Sequence, residues 1–307
     1  APQKFTFVNE DVCENCGDCG QKANCMSLQK VDTEFGRKTQ IHQSSCNQDQ
    51  TCITGECPSF VSVEVAAGTK PRKPHPVQID TAALPAPHLP VLDRAFHVYV
   101  PGLGGTGVLT ANAILAQAAM LDGSEVKTYD QTGAAQKWGA VLSSLIIAPA
   151  GHPPLTNRVG TGKADLYLAL DLMAGVDKVN LGCCQPDRTV AIINSNVLPN
   201  GSMIRDPKMF MPTLQMVETI KASTLGERSV TLDARGISEA LFGDYMMTNM
   251  VAIGAAWQAG LLPISAASIE AAITLNGTQQ EANIQAFRAG RLCVHDAAAL
   301  DRLMGTR

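Results

Sequence analysis

Seven of the ten cysteines in the 307-residue chain fall between Cys13 and Pro58, and no other stretch constrains the fold as tightly. They read Cys13-x2-Cys16-x2-Cys19-x5-Cys25, then Cys46-x5-Cys52-x4-Cys57-Pro58. Three thiolates at successive x2 spacings, closed by a remote Cys-Pro, are the ligand pattern of a cubane iron-sulfur cluster. Zinc sites instead pair C-x2-C units across a longer loop, and a third cysteine at x2 has no place in a tetrahedral centre. Disulfides need an oxidising compartment, whereas the chain starts Ala1-Pro2-Gln3 with no apolar signal segment, which points to the cytoplasm.

In bacterial-type ferredoxins with two clusters, the last cysteine of each run ligates the cluster of the other run. The first cluster would then take Cys13, Cys16, Cys19 and Cys57. The second would take Cys25, Cys46 and Cys52, with Asp49 in the position of the middle cysteine. A carboxylate holds that iron less firmly than a thiolate, so a 4Fe-4S cluster with an Asp ligand and a 3Fe-4S cluster are both open for the second site. Lys4 to Val8 reads as the first strand of this module, Gly17 and Gly20 as tight turns around a cluster, and Gly36-Arg37-Lys38 as a solvated hairpin.

From Ala66 to Pro90 six prolines mark an extended linker that can run along a neighbouring domain; His75 and His88 within it should face solvent. The division is residues 1–65 as an iron-sulfur domain, 66–94 as linker and 95–307 as an α/β domain. The second domain opens with the strand Phe96 to Val100 and then Gly102-Leu103-Gly104-Gly105-Thr106-Gly107, followed by helical periodicity over Val108 to Leu121. Glycines after a strand and before a helix are the context of a phosphate-binding turn. A strand from Glu125 ends at Asp130, where dinucleotide folds carry a ribose-binding acid, and the polar loop Gln131 to Gly139, with Gln136 and Trp138, lies at a strand's carboxyl end.

Further strands are expected at 141–147, 165–170, 189–193 and 229–232, and helices at 211–222, 246–259, 266–275 and 279–289. The longest apolar stretch, Met250 to Ala267, contains Gln258 and Pro263 and reads as a buried helix ending at Gly260 rather than a membrane span. A net charge of -4 offers no basic footprint for nucleic acid. Cys183, Cys184 and Cys293 lack metal spacing and read as small buried hydrophobes. Neither His97 nor His295 stands at a telling distance from a nucleophile or carboxylate, so no catalytic residue is assigned.

Asn9 to Cys19, Gly36-Arg37-Lys38, Gln43 to Asn47 and Gly55 to Phe60 resemble the indolepyruvate ferredoxin oxidoreductase family of thiamine-dependent 2-oxoacid oxidoreductases. So do Gly102 to Gly107, Asp130 to Gly133, Ala164-Asp165-Leu166, Asn276-Gly277, Glu281-Ala282-Asn283 and Ala286-Phe287-Arg288. The resemblance implies an α+β ferredoxin-like module joined to a Rossmann-like, gamma-type α/β domain. It also implies electron passage from a thiamine diphosphate adduct on a partner subunit, through 4Fe-4S clusters, to ferredoxin, with coenzyme A as acyl acceptor. The glycine turn and the loop from Asp130 would face thiamine or coenzyme A. No Gly-Asp-Gly thiamine signature is present, so the chain alone should not decarboxylate a 2-oxoacid; Trp138, Ser144 and Ile146 depart from the family pattern. A flavin- or nicotinamide-binding reductase with a fused ferredoxin module is the alternative, and a non-catalytic ferredoxin fused to an assembly domain is a third reading.

Overall fold

The computed structural model describes residues 4–55, 57–66, 77–81, 84–133, 139–199, 201–206, 208–209 and 211–305. His75, Gln136 and Trp138 lie outside them. The chain divides into two units, Ala1–Lys73 with Leu198–Met211, and Pro74–Val197 with Pro212–Arg307.

The first unit is built from two antiparallel pairs of short strands. β1 (Lys4–Val8) pairs with β4 (Phe60–Glu64), and β2 (Leu28–Thr33) forms a hairpin with β3 (Gly36–Ile41). Between β1 and β2 lies α1 (Asp18–Ala23), and two 3-10 turns, Gln43–Ser45 and Thr51–Gly55, separate β3 from β4. Few large side chains are buried here, Leu28 and Ile41 among them. The cysteine-bearing loops occupy the space that a hydrophobic core fills in a larger domain.

The second unit is a six-stranded sheet. Its strands are β5 (Phe96–Leu103), β6 (Glu125–Thr132), β7 (Ala140–Ala148), β8 (Leu166–Ala169), β9 (Val190–Asn194) and β10 (Val230–Leu232), in the order β10-β9-β8-β5-β7-β6. β5, β8, β9 and β10 run parallel, whereas β7 is antiparallel to both β5 and β6. The sheet is therefore mixed, which corrects the Rossmann-like expectation. In a dinucleotide fold the second strand would lie directly beside β5; here β7 stands between β5 and β6.

Alternation along the central strands assigns residues to two cores. Val98, Val100, Leu166, Leu168, Val190 and Ile192 enter the larger core, while Tyr99, Tyr167, Ala169, Ala191 and Ile193 enter the smaller one. Burial on both faces explains why these strands read as continuous apolar runs. The smaller core is closed by α3 (Leu172–Gly175), by α4 (Lys178–Leu181) and, after α5 (Gly201–Arg205) of the first unit, by α6 (Thr213–Ala222). The larger is closed by α2 (Val108–Leu121), α7 (Ala234–Phe242), α8 (Thr248–Gln258), α9 (Ala266–Asn276), α10 (Gln280–His295) and α11 (Ala297–Gly305).

Helix α8 is buried from Asn249 through Gln258. It crosses α10 through reciprocal glycines: a Cβ on Gly254 would stand 1.9 Å from the Phe287 carbonyl oxygen, and one on Gly290 1.9 Å from that of Val251. Among the described residues no helix is long and apolar enough to cross a membrane.

Two features amend the division expected from composition. Val77, Ile79 and Leu84 of the proline-rich stretch are buried in the larger core; the Ile79 N–H donates to Gln285 Oε1 (2.8 Å), and Gln258 Nε2 donates to the Pro85 carbonyl (2.8 Å). His88 is exposed, as expected. Residues 198–211, placed in sequence between β9 and β10, belong by contact to the first unit. There α5 packs against α1, and a Cβ on Gly20 would stand 2.2 Å from the Ile204 carbonyl oxygen.

Candidate metal centres and the glycine turn

The loop after β1 and the loop after β3 have the same backbone shape. In the first, Asn15 (φ 54°) and Gly17 (φ 87°) are left-handed, and the Asn15 N–H points at Cys13 Sγ (3.4 Å). In the second, Gln48 (φ 59°) and Gln50 (φ 58°) are left-handed, and the Gln48 N–H points at Cys46 Sγ (3.4 Å). Left-handed conformations at non-glycine residues are costly and persist where surroundings require them. Two such loops superpose Cys46 on Cys13, Asp49 on Cys16 and Cys52 on Cys19.

Each loop borders a small cavity. One is lined by Cys13, Cys16, Cys19 and Cys57. The other is lined by Cys25, Cys46, Asp49 and Cys52. The cavities thus gather two crossed sets, with the remote cysteine of each run turned to the other's loop. Ser59 Oγ lies 2.9 Å from Cys57 Sγ at the first cavity. At the second, Thr6 Oγ1 is buried and has no partner among the described residues. Asp49 is exposed; its Oδ1 accepts from the Thr51 N–H (3.0 Å) and its Oδ2 from Asn47 Nδ2 (3.2 Å).

Among the described residues no group of three or more His, Cys, Asp or Glu is placed to hold a single metal ion. Cubane thiolates each bind a different iron and need not converge on one point, so each of the two sets fits a cluster. Burial pushes the Cys52 thiol up to about 11 and raises Cys19. Coordinated iron would supply the positive charge that favours their ionised form.

The glycine turn is built differently from a dinucleotide site. Gly102 lies inside β5, the Gly104 N–H donates to the Gly139 carbonyl (2.8 Å), and Thr106 Oγ1 donates to the Leu103 carbonyl (2.7 Å). Asp130, within β6, accepts from Asn112 Nδ2 (3.1 Å) and from Ser143 Oγ on the intervening strand. Both contacts are made by Oδ1, and the residue is exposed.

Gly107, the residue before α2, does line a pocket of about 660 Å³ with Thr110, Asn249, Asn276, Gln279 and Asn283. Gly102, Gly104, Gly105, Thr106, Asp130 and Gln131 are not part of that lining. Helices α2, α8 and α10 all begin there, and none has a side-chain cap. The uncapped first turns of α2 and α10 leave amide N–H groups without side-chain partners, whereas α8 continues the 3-10 turn Tyr245–Met247 that Asp244 caps; no acid or base lines the pocket. Asn249 closes the turn by donating from Nδ2 to the Thr106 carbonyl (2.8 Å). Sequence reasoning passed over Asn249; Asn276 and Asn283 stood in the quoted C-terminal stretches without a role.

Elsewhere the polar clusters are structural. Burial works against ionised Asp165, yet hydrogen bonds from His97 and Arg94, with Arg188 beside them, hold its carboxyl well below the usual range. Cys183 is buried, and its Sγ donates to the Asn180 carbonyl (2.9 Å).

The family described as pyruvate ferredoxin/flavodoxin oxidoreductase matches residues 97–293, which begin beyond the cysteine loops. The chain is 26% identical over 199 residues to an indolepyruvate oxidoreductase subunit IorB of Methanothermobacter thermautotrophicus, covering 64% of this chain and 95% of that one. The corresponding protein of Thermococcus kodakarensis is 25% identical, with the same coverage. Among solved structures, the pyruvate oxidoreductase subunit PORC of Thermotoga maritima aligns with TM-score 0.48 and 17% identity, over 65% of this chain and 96% of that one.

Proposed function

Because the chain belongs to the pyruvate ferredoxin/flavodoxin oxidoreductase family, we propose that it is a gamma-type subunit, or part, of a 2-oxoacid:ferredoxin oxidoreductase whose N-terminal unit is a ferredoxin-like electron carrier. The observation that carries this reading is the pair of cavities lined by the crossed sets Cys13, Cys16, Cys19, Cys57 and Cys25, Cys46, Asp49, Cys52. The relatives named as indolepyruvate oxidoreductase subunits support aryl pyruvates as the substrate class.

Two iron-sulfur clusters supply one-electron redox steps, matching a two-electron oxidation to one-electron acceptors such as ferredoxin. The chain's residues would hold the clusters and direct the Asn15 and Gln48 amides toward the first thiolate of each loop. With no thiamine signature in its sequence, the chain depends on a partner subunit carrying thiamine diphosphate. The second unit faces that site or coenzyme A through the pocket at Gly107, where free helix-start amides suit an anionic group. The dinucleotide alternative is disfavoured by β7 between β5 and β6 and by the engagement of Asp130 with Ser143.

The test is iron and acid-labile sulfide per chain in anaerobically purified protein, with EPR before and after dithionite. About eight irons with a coupled reduced signal support two cubanes, and about seven with an oxidised 3Fe-4S signal support an open Asp49 corner. Zinc without sulfide sinks the proposal. Cys16→Ala should remove the first cluster, whereas Cys183→Ala should leave the iron content unchanged.

A further inference from the structure

The two cavities differ in what the β2–β3 hairpin presents to them. In its register Leu28 opposes Ile41, and two residues along the same face Lys30 opposes Thr39. The Leu28–Ile41 pair lines the cavity of Cys25, Cys46, Asp49 and Cys52, while Thr39 lines that of Cys13, Cys16, Cys19 and Cys57. Lys30 is half-buried, and its ammonium is held in place by Asn15 Oδ1 (2.7 Å) and Thr39 Oγ1 (2.9 Å). Asn15 is the residue between Cys13 and Cys16 whose amide points at Cys13 Sγ. A second cation, Lys38, donates from Nζ to the Cys13 carbonyl (2.7 Å).

From this asymmetry we infer that Lys30 is a potential-setting residue: it makes the cluster held by Cys13, Cys16, Cys19 and Cys57 the more easily reduced of the two. The inference rests on the iron-sulfur assignment above. Each electron added makes a cluster more negative, and a fixed cation in a half-buried setting stabilises that added charge more than one in water. Burial lowers the lysine's own pKa, and the neighbouring thiolates of Cys19, Cys13 and Cys16 oppose that effect.

Other charges at the cavities are screened. Lys4 at the second cavity and Glu14 at the first are exposed, and Asp18 pairs with Lys22 at 2.9 Å. The unpartnered Thr6 hydroxyl at the second cavity is a neutral donor, weaker than an ammonium. With loops of one shape, the sites differ in the ligand position of Cys16 and Asp49 and in the hairpin residues, and of these the Lys30 ammonium is the fixed charge beside the first set alone.

The experiment is EPR-monitored redox titration of the full chain with clusters reconstituted anaerobically, comparing wild type, Lys30→Met and Lys30→Arg after each has been assayed for iron and sulfide. Lys30→Met should lower the midpoint of the signal that appears first on reduction. The expected shift is at least a tenfold change in its reduced-to-oxidised ratio at fixed potential, about 59 mV for one electron. Lys30→Arg should recover most of the shift, and the later signal should move less. Equal movement of both signals, movement of the later one alone, or no movement in a fully loaded Lys30→Met protein overturns the inference. Absence of sulfide from the wild type overturns the cluster assignment itself.

Discussion

Replacing Gly254 with alanine tests whether the crossing of α8 and α10 is as close as it stands. The added methyl would lie 1.9 Å from the Phe287 carbonyl oxygen, 2.8 Å from its carbon and 3.1 Å from the Arg291 nitrogen, all backbone atoms. Ordinary contact begins near 3.4 Å, so the helices must separate by roughly 1.5 Å. Separation loosens the contacts of Trp257 with Phe287 (ring centroids 6.2 Å) and of Arg291 over Trp257 (4.4 Å). Overpacking of this kind costs about 1–3 kcal/mol or more, against about 1 kcal/mol returned by alanine's helix propensity. With backbone as the obstacle, the upper end applies and the net loss is about 2 kcal/mol, or about 4–8 °C in the melting of a unit this size. Differential scanning calorimetry on Gly254→Ala, beside Gly305→Ala where nothing lies within 4 Å, gives the measurement. A Gly254→Ala protein as stable as wild type, or stabilised like an unhindered helix glycine, would refute the crossing.

Asp49→Cys should complete the second ligand set: iron rises toward eight per chain and any oxidised 3Fe-4S signal disappears, while an unchanged spectrum would remove Asp49 from the site. Gly20→Ala places a methyl against the Ile204 carbonyl, so α5 should detach from α1 and the visible absorbance of the clusters should bleach severalfold faster in air; wild-type bleaching would show the contact to be dispensable. Asp165 has a lowered folded pKa, so its contribution to stability is present above its unfolded pKa near 3.9 and is lost as pH falls through the folded value. Asp165→Asn should lose about 1–3 kcal/mol at pH 7 in chemical denaturation, with the gap to wild type closing in acid; a pH-independent gap would refute that account.

The cysteine loops were legible because ligand spacing is written in residue type. Even Asp49, which breaks the pattern, occupies a backbone position matching Cys16, and φ values at Gln48 and Gln50 say so where composition could not. The parallel strands were legible from their apolar runs, but strand direction is not encoded in alternation, so the antiparallel β7 went unforeseen and with it the fate of Asp130. The pocket at Gly107 draws Asn249, Asn276 and Asn283 from the starts or ends of separate helices, and no local period links them. Nothing in residues 198–211 advertises a partner near Gly20; that contact depends on backbone approach, for which a glycine is the only trace.

The passage of residues 198–211 into the first unit also bears on the order of events during synthesis. The cysteine loops are complete when residue 66 has been made, yet the last piece of their unit follows only at residue 211. At about 5–20 residues per second, that interval is roughly 7–30 s. For that time the nascent chain displays all seven loop cysteines without the segment that packs on α1. On the iron-sulfur reading, cluster delivery would meet either an open, incomplete unit on the ribosome or a closed one after release.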